Sequence, residues 1–322
     1  MSLASDDLCR RFGLEVPVFQ AAMGWVTGGR LAAAVSNAGG LGVIATGGFI
    51  PPAELLEQIA RVRDEAPGKP FGVNVLLPSG ATEASPFGSE ERVRALLDVC
   101  IEQRVPVVLS GLGDPSRVIP EMHAIGTMFV AVVGSTRAAL KCAAAGADAV
   151  IVQGHEAGGH VGPTCTFPLA QQALRSLGAP VVIAGGIATG DAVRAALSLG
   201  AAGVSVGTRF IASVEAECHD AYKQLVVGAG ENATAVTRVA TGKPNRAFRN
   251  AFVEQWVGRD SELKGFVEQA QEHFWRTKAG AVDGDVDSGF FPMGQCAVLV
   301  DEILPARAIV ERLAAGAAAR DA

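Results

Sequence analysis

The chain has 322 residues, of which 49% are hydrophobic and 19% charged, which is enough for one large domain or two ordinary ones. Its net charge is −6 and it has no long block of lysine and arginine, which argues against nucleic-acid binding. No apolar run approaches the roughly 18 residues of a membrane-spanning helix, and the N-terminal segment lacks the apolar stretch of a signal peptide.

The cysteine pattern indicates a reducing compartment. The six cysteines are far apart and form no CxxC pair, which favours buried free thiols over disulfides or a metal site. We therefore expect a cytoplasmic protein with small-molecule partners and with neither a nucleic-acid nor a membrane partner. A homodimer is compatible with the sequence.

Short apolar segments alternate with helical patterns along most of the chain. The predicted strands cover residues 17–23, 41–46, 70–77, 106–113, 127–134, 148–154, 180–186 and 202–210. The predicted helices between them cover residues 28–39, 52–66, 89–104, 135–147 and 191–200. The strands are nearly continuous apolar runs, as expected when both faces of a sheet are covered.

This alternation predicts an α/β fold, for which a (β/α)8 TIM barrel and a doubly wound open sheet are the alternatives. The strands recur every 20 to 30 residues, and most end in glycine or polar residues, as the active-site rim of a barrel requires. A dinucleotide-binding open sheet would show G-x-G-x-x-G after its first strand, and "QAAMGWVTGG" does not fit that pattern. The barrel is therefore favoured.

The pattern changes after the eighth strand. Residues 214–285 hold most of the later aromatic residues and no parallel-strand signal, which predicts a helical insertion over the barrel mouth that serves as a substrate domain. Residues 1–213 and 286–322 then form the barrel domain. Within the latter range, residues 294–316 are expected to form an amphipathic helix or helix pair that closes the barrel.

Glycine-rich loops follow the last two predicted strands. Gly185 and Gly186 lie at the end of predicted strand seven, and Gly207 and Thr208 lie toward the end of predicted strand eight. In barrels these two loops commonly bind phosphate, since exposed backbone N–H groups attract anions and glycine allows close approach. The alternative is that these glycines only make tight turns.

The segment "QGHEAGGHVG" (153–162) follows the sixth strand and carries two histidines. A neutral imidazole beside a bound substrate is a natural general acid or base, and Gly158 and Gly159 leave room beside His160. A structural histidine bonded to loop carbonyls describes His155 better than His160. Metal binding by both histidines with Glu156 is a further alternative, although the spacing differs from helical zinc motifs.

Two other strand ends suggest contact with a flat ring. Ala22 and Met23 lie in a run of small residues after strand one, and Gln153 ends strand six. Asn74 is a polar residue inside an apolar run, and it needs hydrogen-bond partners. A ring with carbonyl and N–H edges would supply them; neighbouring backbone is the alternative partner.

Several of these motifs together resemble one known family. The segments "QAAM", "SNAGGLGVIATG", "FGVNVLL", "DAVIVQGHEAGGHVG", "PVVIAGGIATGDAVRAALSLGAAGVSVGTRF" and "GDVDSGFFPMGQ" are similar to the FMN-dependent nitronate monooxygenase (2-nitropropane dioxygenase) family. Its superfamily includes enoyl-acyl-carrier-protein reductase II and NAD(P)H:quinone reductases. The resemblance covers nearly the whole chain and is specific for the superfamily.

The resemblance implies FMN with its phosphate on Gly185, Gly186, Gly207 and Thr208. It places the isoalloxazine near Ala22, Met23, Asn74 and Gln153, with Gly158 and Gly159 giving it room, and makes His160 catalytic. The first expected activity is oxidation of alkyl nitronates with O2. The alternative is an NAD(P)H-dependent flavin reductase of an enoyl thioester or a quinone, because "GGHVG" is closer to the "GGHIG" of the reductases.

Two alternatives stay open. One is a barrel without redox chemistry, such as a phosphosugar isomerase or a binding module. The other concerns the basic segment "GKPNRAFRN", in which Arg246 or Arg249 would contact an anionic substrate or an NAD(P)H phosphate, or would be solvated surface.

Overall fold

The computed structural model describes residues 3–47, 49–77 and 88–318. Its strands are β1 (Val18–Gln20), β2 (Gly42–Ala45), β3 (Phe71–Asn74), β4 (Val107–Ser110), β5 (Met128–Val133), β6 (Ala149–Gln153), β7 (Gly159–His160), β8 (Val181–Ala184), β9 (Gly203–Val206), β10 (Thr234–Thr237) and β11 (Asn245–Phe248). All eight predicted strands are present, each inside its predicted range.

Eight parallel strands form one barrel in the order β1-β9-β8-β6-β5-β4-β3-β2. The sheet closes between β2 and β1, where Gln20 N–H donates to the carbonyl of Leu41 and Leu41 N–H donates to that of Val18, both at 2.9 Å. An open doubly wound sheet would leave these edges apart. The (β/α)8 barrel prediction is therefore confirmed.

Helices surround the barrel. They are α1 (Leu3–Phe12), α2 (Gly29–Asn37), α3 (Pro52–Glu65), α4 (Glu90–Glu102), α5 (Val118–Ala124), α6 (Thr136–Ala144), α7 (Thr166–Ser176), α8 (Gly190–Ser198), α9 (Thr208–Ile211), α10 (Asp220–Val227), α11 (Ala251–Glu254), α12 (Phe266–His273), α13 (Arg276–Ala281) and α14 (Ala306–Ala318). Short 3₁₀ turns lie at Pro115–Arg117, Asp260–Glu262 and Gln295–Leu299. In the described part of the chain, no helix is long and apolar enough to cross a membrane.

The barrel interior is filled with apolar side chains, and α1 closes it at the amino ends of the strands. Leu8 and Phe12 of α1 belong to the same buried cluster as Phe19, Leu41 and Val130 of the barrel. Leu8 lies at the start of β9, because a Cβ on Gly203 would come within 2.8 Å of it. The carboxyl ends of the strands therefore remain as the open end of the barrel.

The segment 214–285 contains helices α10 to α13 but is not wholly helical. It includes the antiparallel hairpin β10–β11, and β11 also pairs with β7, so that Asn245 faces His160 in the register. The prediction of a helical insertion omitted this hairpin. Strands β10 and β11 have only four residues each, and β11 pairs with a loop distant in the sequence, so they give no periodic signal.

The final segment forms one long helix after a 3₁₀ turn. Helix α14 packs so closely on α8 that a Cβ on Gly316 would lie 1.7 Å from the carbonyl oxygen of Gly190. The predicted barrel ranges 1–213 and 286–322 include residues 1–2, 48, 78–87 and 319–322, which lie outside the described residues.

Candidate active site

A cavity of about 640 Å³ lies at the carboxyl ends of the barrel strands. It is bounded by the loops after the strands and by parts of the 214–285 segment. The predicted catalytic histidine and all the residues expected at FMN line it: Ala22, Met23, Asn74, Gln153, Gly158, Gly159, His160, Gly185, Gly186, Gly207 and Thr208. The structure therefore brings together residues from five separate strand ends.

The two glycine loops expose backbone to this cavity. Gly186 has a φ of +76°, which favours glycine, and a Cβ placed on it would meet no atom within 4 Å. Gly207, which precedes α9, has only Ala21 Cβ and Met23 Sδ near its missing Cβ, both at 3.5 Å. Both backbones are thus open to a group bound in the cavity.

The backbone of His160 is held by groups from two directions. Gln153 Nε2 donates to the carbonyl oxygen of His160 at 2.6 Å. On the other side, Val161 N–H donates to the carbonyl of Pro244 at 3.1 Å, beside the β7–β11 pairing. The loop after β6 is therefore fixed by a barrel strand and by the hairpin together.

The imidazole of His160 contacts the segment between β10 and β11. Its Nε2 lies 2.8 Å from Oγ1 of Thr241, a residue that is 1% exposed. Burial, and secondly the positive charge of Lys243, lower the pKa of His160 to about 4. The ring is therefore neutral at physiological pH and carries one N–H and one lone pair.

We expect His160 to stay neutral from pH 8 down to about pH 5.5 in the FMN-free protein. Between about pH 4 and pH 6.5 the unfolded chain binds a proton that the folded protein does not, so acidification through this window lowers stability. The measurement is a titration of the ring signals by ¹H–¹⁵N NMR, assigned with His160→Asn. A midpoint near 6.5 would contradict the expectation.

His155 and Glu156 hold the loop in place. His155 Nδ1 lies 2.8 Å from the carbonyl oxygen of Gly162, and Oε2 of Glu156 accepts from the backbone N–H and the hydroxyl of Thr166 at 2.8 and 2.9 Å. Neither side chain lines the cavity. Across residues 3–47, 49–77 and 88–318, no group of three or more histidine, cysteine, aspartate or glutamate residues is arranged to hold a metal ion.

Two of the predicted contact residues have internal partners. Asn74 Nδ2 donates to the carbonyl of Leu109 at 3.3 Å, which is the neighbouring-backbone alternative considered above. Thr208 Oγ1 accepts from the N–H of Gly294 at 2.9 Å. Each still borders the cavity, so a bound group would share these side chains with the protein's own backbone.

The cation at the cavity is Lys243, which sequence reasoning missed in favour of Arg246 and Arg249. Arg246 is 5% exposed and donates to the carbonyl of His155 and to Thr234 Oγ1, both at 3.1 Å. Arg249 is on the surface and pairs with Glu254 at 2.6 Å. Among the described residues lining the cavity, Lys243 is the one lysine or arginine, and there is no aspartate or glutamate. The cavity therefore favours anions.

Comparison with known proteins agrees with this fold. The family model described as nitronate monooxygenase matches residues 6–316. A "probable nitronate monooxygenase" of Staphylococcus saprophyticus is 32% identical over 93% of this chain and 94% of its own length. The structure of FabK from Thermotoga maritima is 39% identical, with a TM-score of 0.86 over 96% of this chain and 95% of that chain.

A third relative has a different described activity. The "(3aS,4S,5R,7aS)-5-hydroxy-7a-methyl-1-oxo-octahydro-1H-indene-4-carboxyl-CoA dehydrogenase" of Mycobacterium tuberculosis is 32% identical over 95% of this chain and 94% of its own length. The likeness to all three extends across the barrel and the 214–285 segment. The chain is therefore an enzyme of the nitronate monooxygenase family, within a superfamily of flavin-dependent oxidoreductases.

Proposed function

We propose that the enzyme binds FMN and oxidises alkyl nitronates with O2. The observation that carries the proposal is that a neutral His160 and the cation Lys243 line one cavity, and that the described lining of this cavity has no carboxylate. A nitronate is an anion with two oxygen acceptors, so it suits one N–H donor and one nearby cation.

The residues present fit FMN. Gly186 and Gly207 present backbone with open space where a side chain would stand, as a phosphate held by N–H groups requires. Ala22, Met23 and Gln153 line the same cavity, and their small or flat surfaces suit a ring. Bound FMN would supply the electron transfer, and the protein supplies position and electrostatics.

The role of His160 follows from its pKa. With a pKa near 4, the ring is a weak base and is poorly matched to removing a proton from a neutral nitroalkane near pH 7. The same neutral ring is well suited to donate a hydrogen bond to a nitronate that is already ionised. Thr241 fixes the ring at Nε2, and Lys243 balances the negative charge of the substrate.

The proposal is tested with purified holoenzyme and propionate 3-nitronate. We expect oxygen-dependent turnover with a kcat/KM at least 100-fold above that for 3-nitropropionate, in which the carbon beside the nitro group still carries its proton. In Lys243→Met the kcat/KM for the nitronate should be at least tenfold lower. Arg249→Met is the matched control, because it removes a surface cation that does not line the cavity, and it should leave kcat/KM unchanged. Equal rates with ionised and un-ionised substrate would overturn the assigned roles.

Reduction of an enoyl thioester by NAD(P)H is the second candidate. It is supported by the 39% identity to FabK and by the likeness to a carboxyl-CoA dehydrogenase. In that reaction His160 would donate its N–H to the thioester carbonyl. Anaerobic loss of the flavin absorbance on adding NADH or NADPH, with no nitronate present, would favour this candidate over the first.

A further inference from the structure

Three aromatic side chains from separate segments form one wall of the cavity, here called the aromatic wall. They are Trp25 after β1, Phe49 after β2 and Phe274 after α12, and all three line the cavity. The rings of Trp25 and Phe49 are stacked, with centroids 3.9 Å apart and planes at 10°. Phe274 meets Phe49 at 5.9 Å and 50°.

The wall is built into the loops. A Cβ on Gly24 or on Gly47 would come within 2.9 or 2.0 Å of the Phe49 ring, so both glycines make room for it. Trp25 has a φ of +62°, a left-handed conformation that a bulky residue adopts only where its surroundings enforce it. Such backbone strain is typical of binding and active sites.

The wall faces His160 across the barrel mouth. Strand β2, which precedes Phe49, and strand β6, which precedes His160, lie four places apart around a ring of eight strands. The 214–285 segment contributes to both sides, with Thr241 beside His160 and with Phe274 in the wall. A ligand held at His160 therefore has the aromatic wall at its far end.

We propose that the aromatic wall is a subsite for an apolar ring of the substrate, aryl or alicyclic, whose anionic head lies at His160 and Lys243. Stacked and tilted aromatic rings favour a flat apolar partner. Two cations lie beside the wall. Nζ of Lys278 is 5.9 Å from the Trp25 ring centroid, and the Arg92 guanidinium donates to the backbone carbonyl of Phe49. The position of the head group rests on the proposed function, and the subsite itself rests on the wall.

The test uses unreactive carboxylates, which share the charge and planar oxygen pair of a nitronate. Acetate, phenylacetate and cyclohexylacetate are titrated into holoenzyme, and binding is followed by the flavin difference spectrum and by tryptophan fluorescence. We expect both ring compounds to bind at least tenfold more tightly than acetate. Because no turnover is needed, this preference can be found even if nitronates are not oxidised, so failure of the subsite and failure of the proposed function are separable.

Two variants localise the preference. Phe49→Ala and Phe274→Leu should each reduce it to threefold or less while leaving the Kd for acetate unchanged; Phe274→Leu keeps an apolar side chain and guards against misfolding of the first variant. The control is Phe167→Ala, since Phe167 is 61% exposed and lies outside the cavity. An unchanged preference in both wall variants would overturn the proposal. The proposal would also be overturned if ADP competed with phenylacetate and no longer bound to Phe49→Ala, because the wall would then be a nucleotide site.

Discussion

Replacing His160 with alanine is expected to lower kcat by about 10² to 10³-fold while FMN remains bound. The imidazole is the one predicted catalytic group, and its half-buried ring lies 2.8 Å from Oγ1 of Thr241. A donor held in this way is oriented before the anionic substrate binds, so its loss leaves the substrate misplaced for reaction and lowers turnover. Flavin absorbance measures cofactor retention, and oxygen uptake measures kcat.

The assay is run with a nitronate, an enoyl thioester and a quinone, so that the result does not depend on which reaction the enzyme performs. His123→Ala is the control, because His123 lies on the outside of the barrel and pairs with Asp148 at 2.9 Å. Unchanged turnover of the active substrate in His160→Ala would remove this histidine from the mechanism.

Replacing Gly186 with aspartate is expected to weaken FMN binding at least 100-fold. The new side chain would project into open cavity, where a Cβ meets no atom within 4 Å, and would place a carboxylate against the phosphate. Like charges at close range in a partly buried site are strongly unfavourable. The measurement is a titration of FMN-depleted protein with FMN, followed by flavin fluorescence.

Gly200→Asp is the matched control. Gly200 also has a positive φ, +102°, and open space at its Cβ position, but it lies outside the cavity lining, between α8 and β9. Both variants therefore carry a similar backbone penalty, on the order of 1 kcal/mol. Equal FMN affinities in the two variants would show that the loop after β8 does not hold the phosphate.

Local patterning predicted the barrel well. The barrel strands are mainly apolar and mainly buried, so composition marks them, and the glycines that follow β8 and β9 lie at the predicted rim. His160, Gly186 and Asn74 were recognisable because each is unusual in its own segment. Their grouping in one cavity followed from the rule that parallel barrels carry their sites at the carboxyl ends of the strands.

The unpredicted parts of the site depend on contacts between distant segments. Thr241 is an ordinary threonine in sequence and acquires its place only because β11 pairs with β7, some 80 positions earlier in the chain. Lys243 was passed over for Arg246, whose guanidinium is used inside the protein to bind the carbonyl of His155. The stacking of Trp25 on Phe49 joins two loops, and no periodicity in either loop indicates it.

The three-stranded sheet β10-β11-β7 has a consequence for how such enzymes diverge. One strand of this sheet belongs to the loop after β6, and the other two belong to the segment after β9. Both segments therefore form the environment of His160. If the loop after β6 or the β10–β11 hairpin alone were exchanged between relatives, His160 would have a partner strand that does not match it. New specificities on this scaffold are therefore expected to arise through paired changes, in which the histidine loop and the hairpin are inherited as one unit.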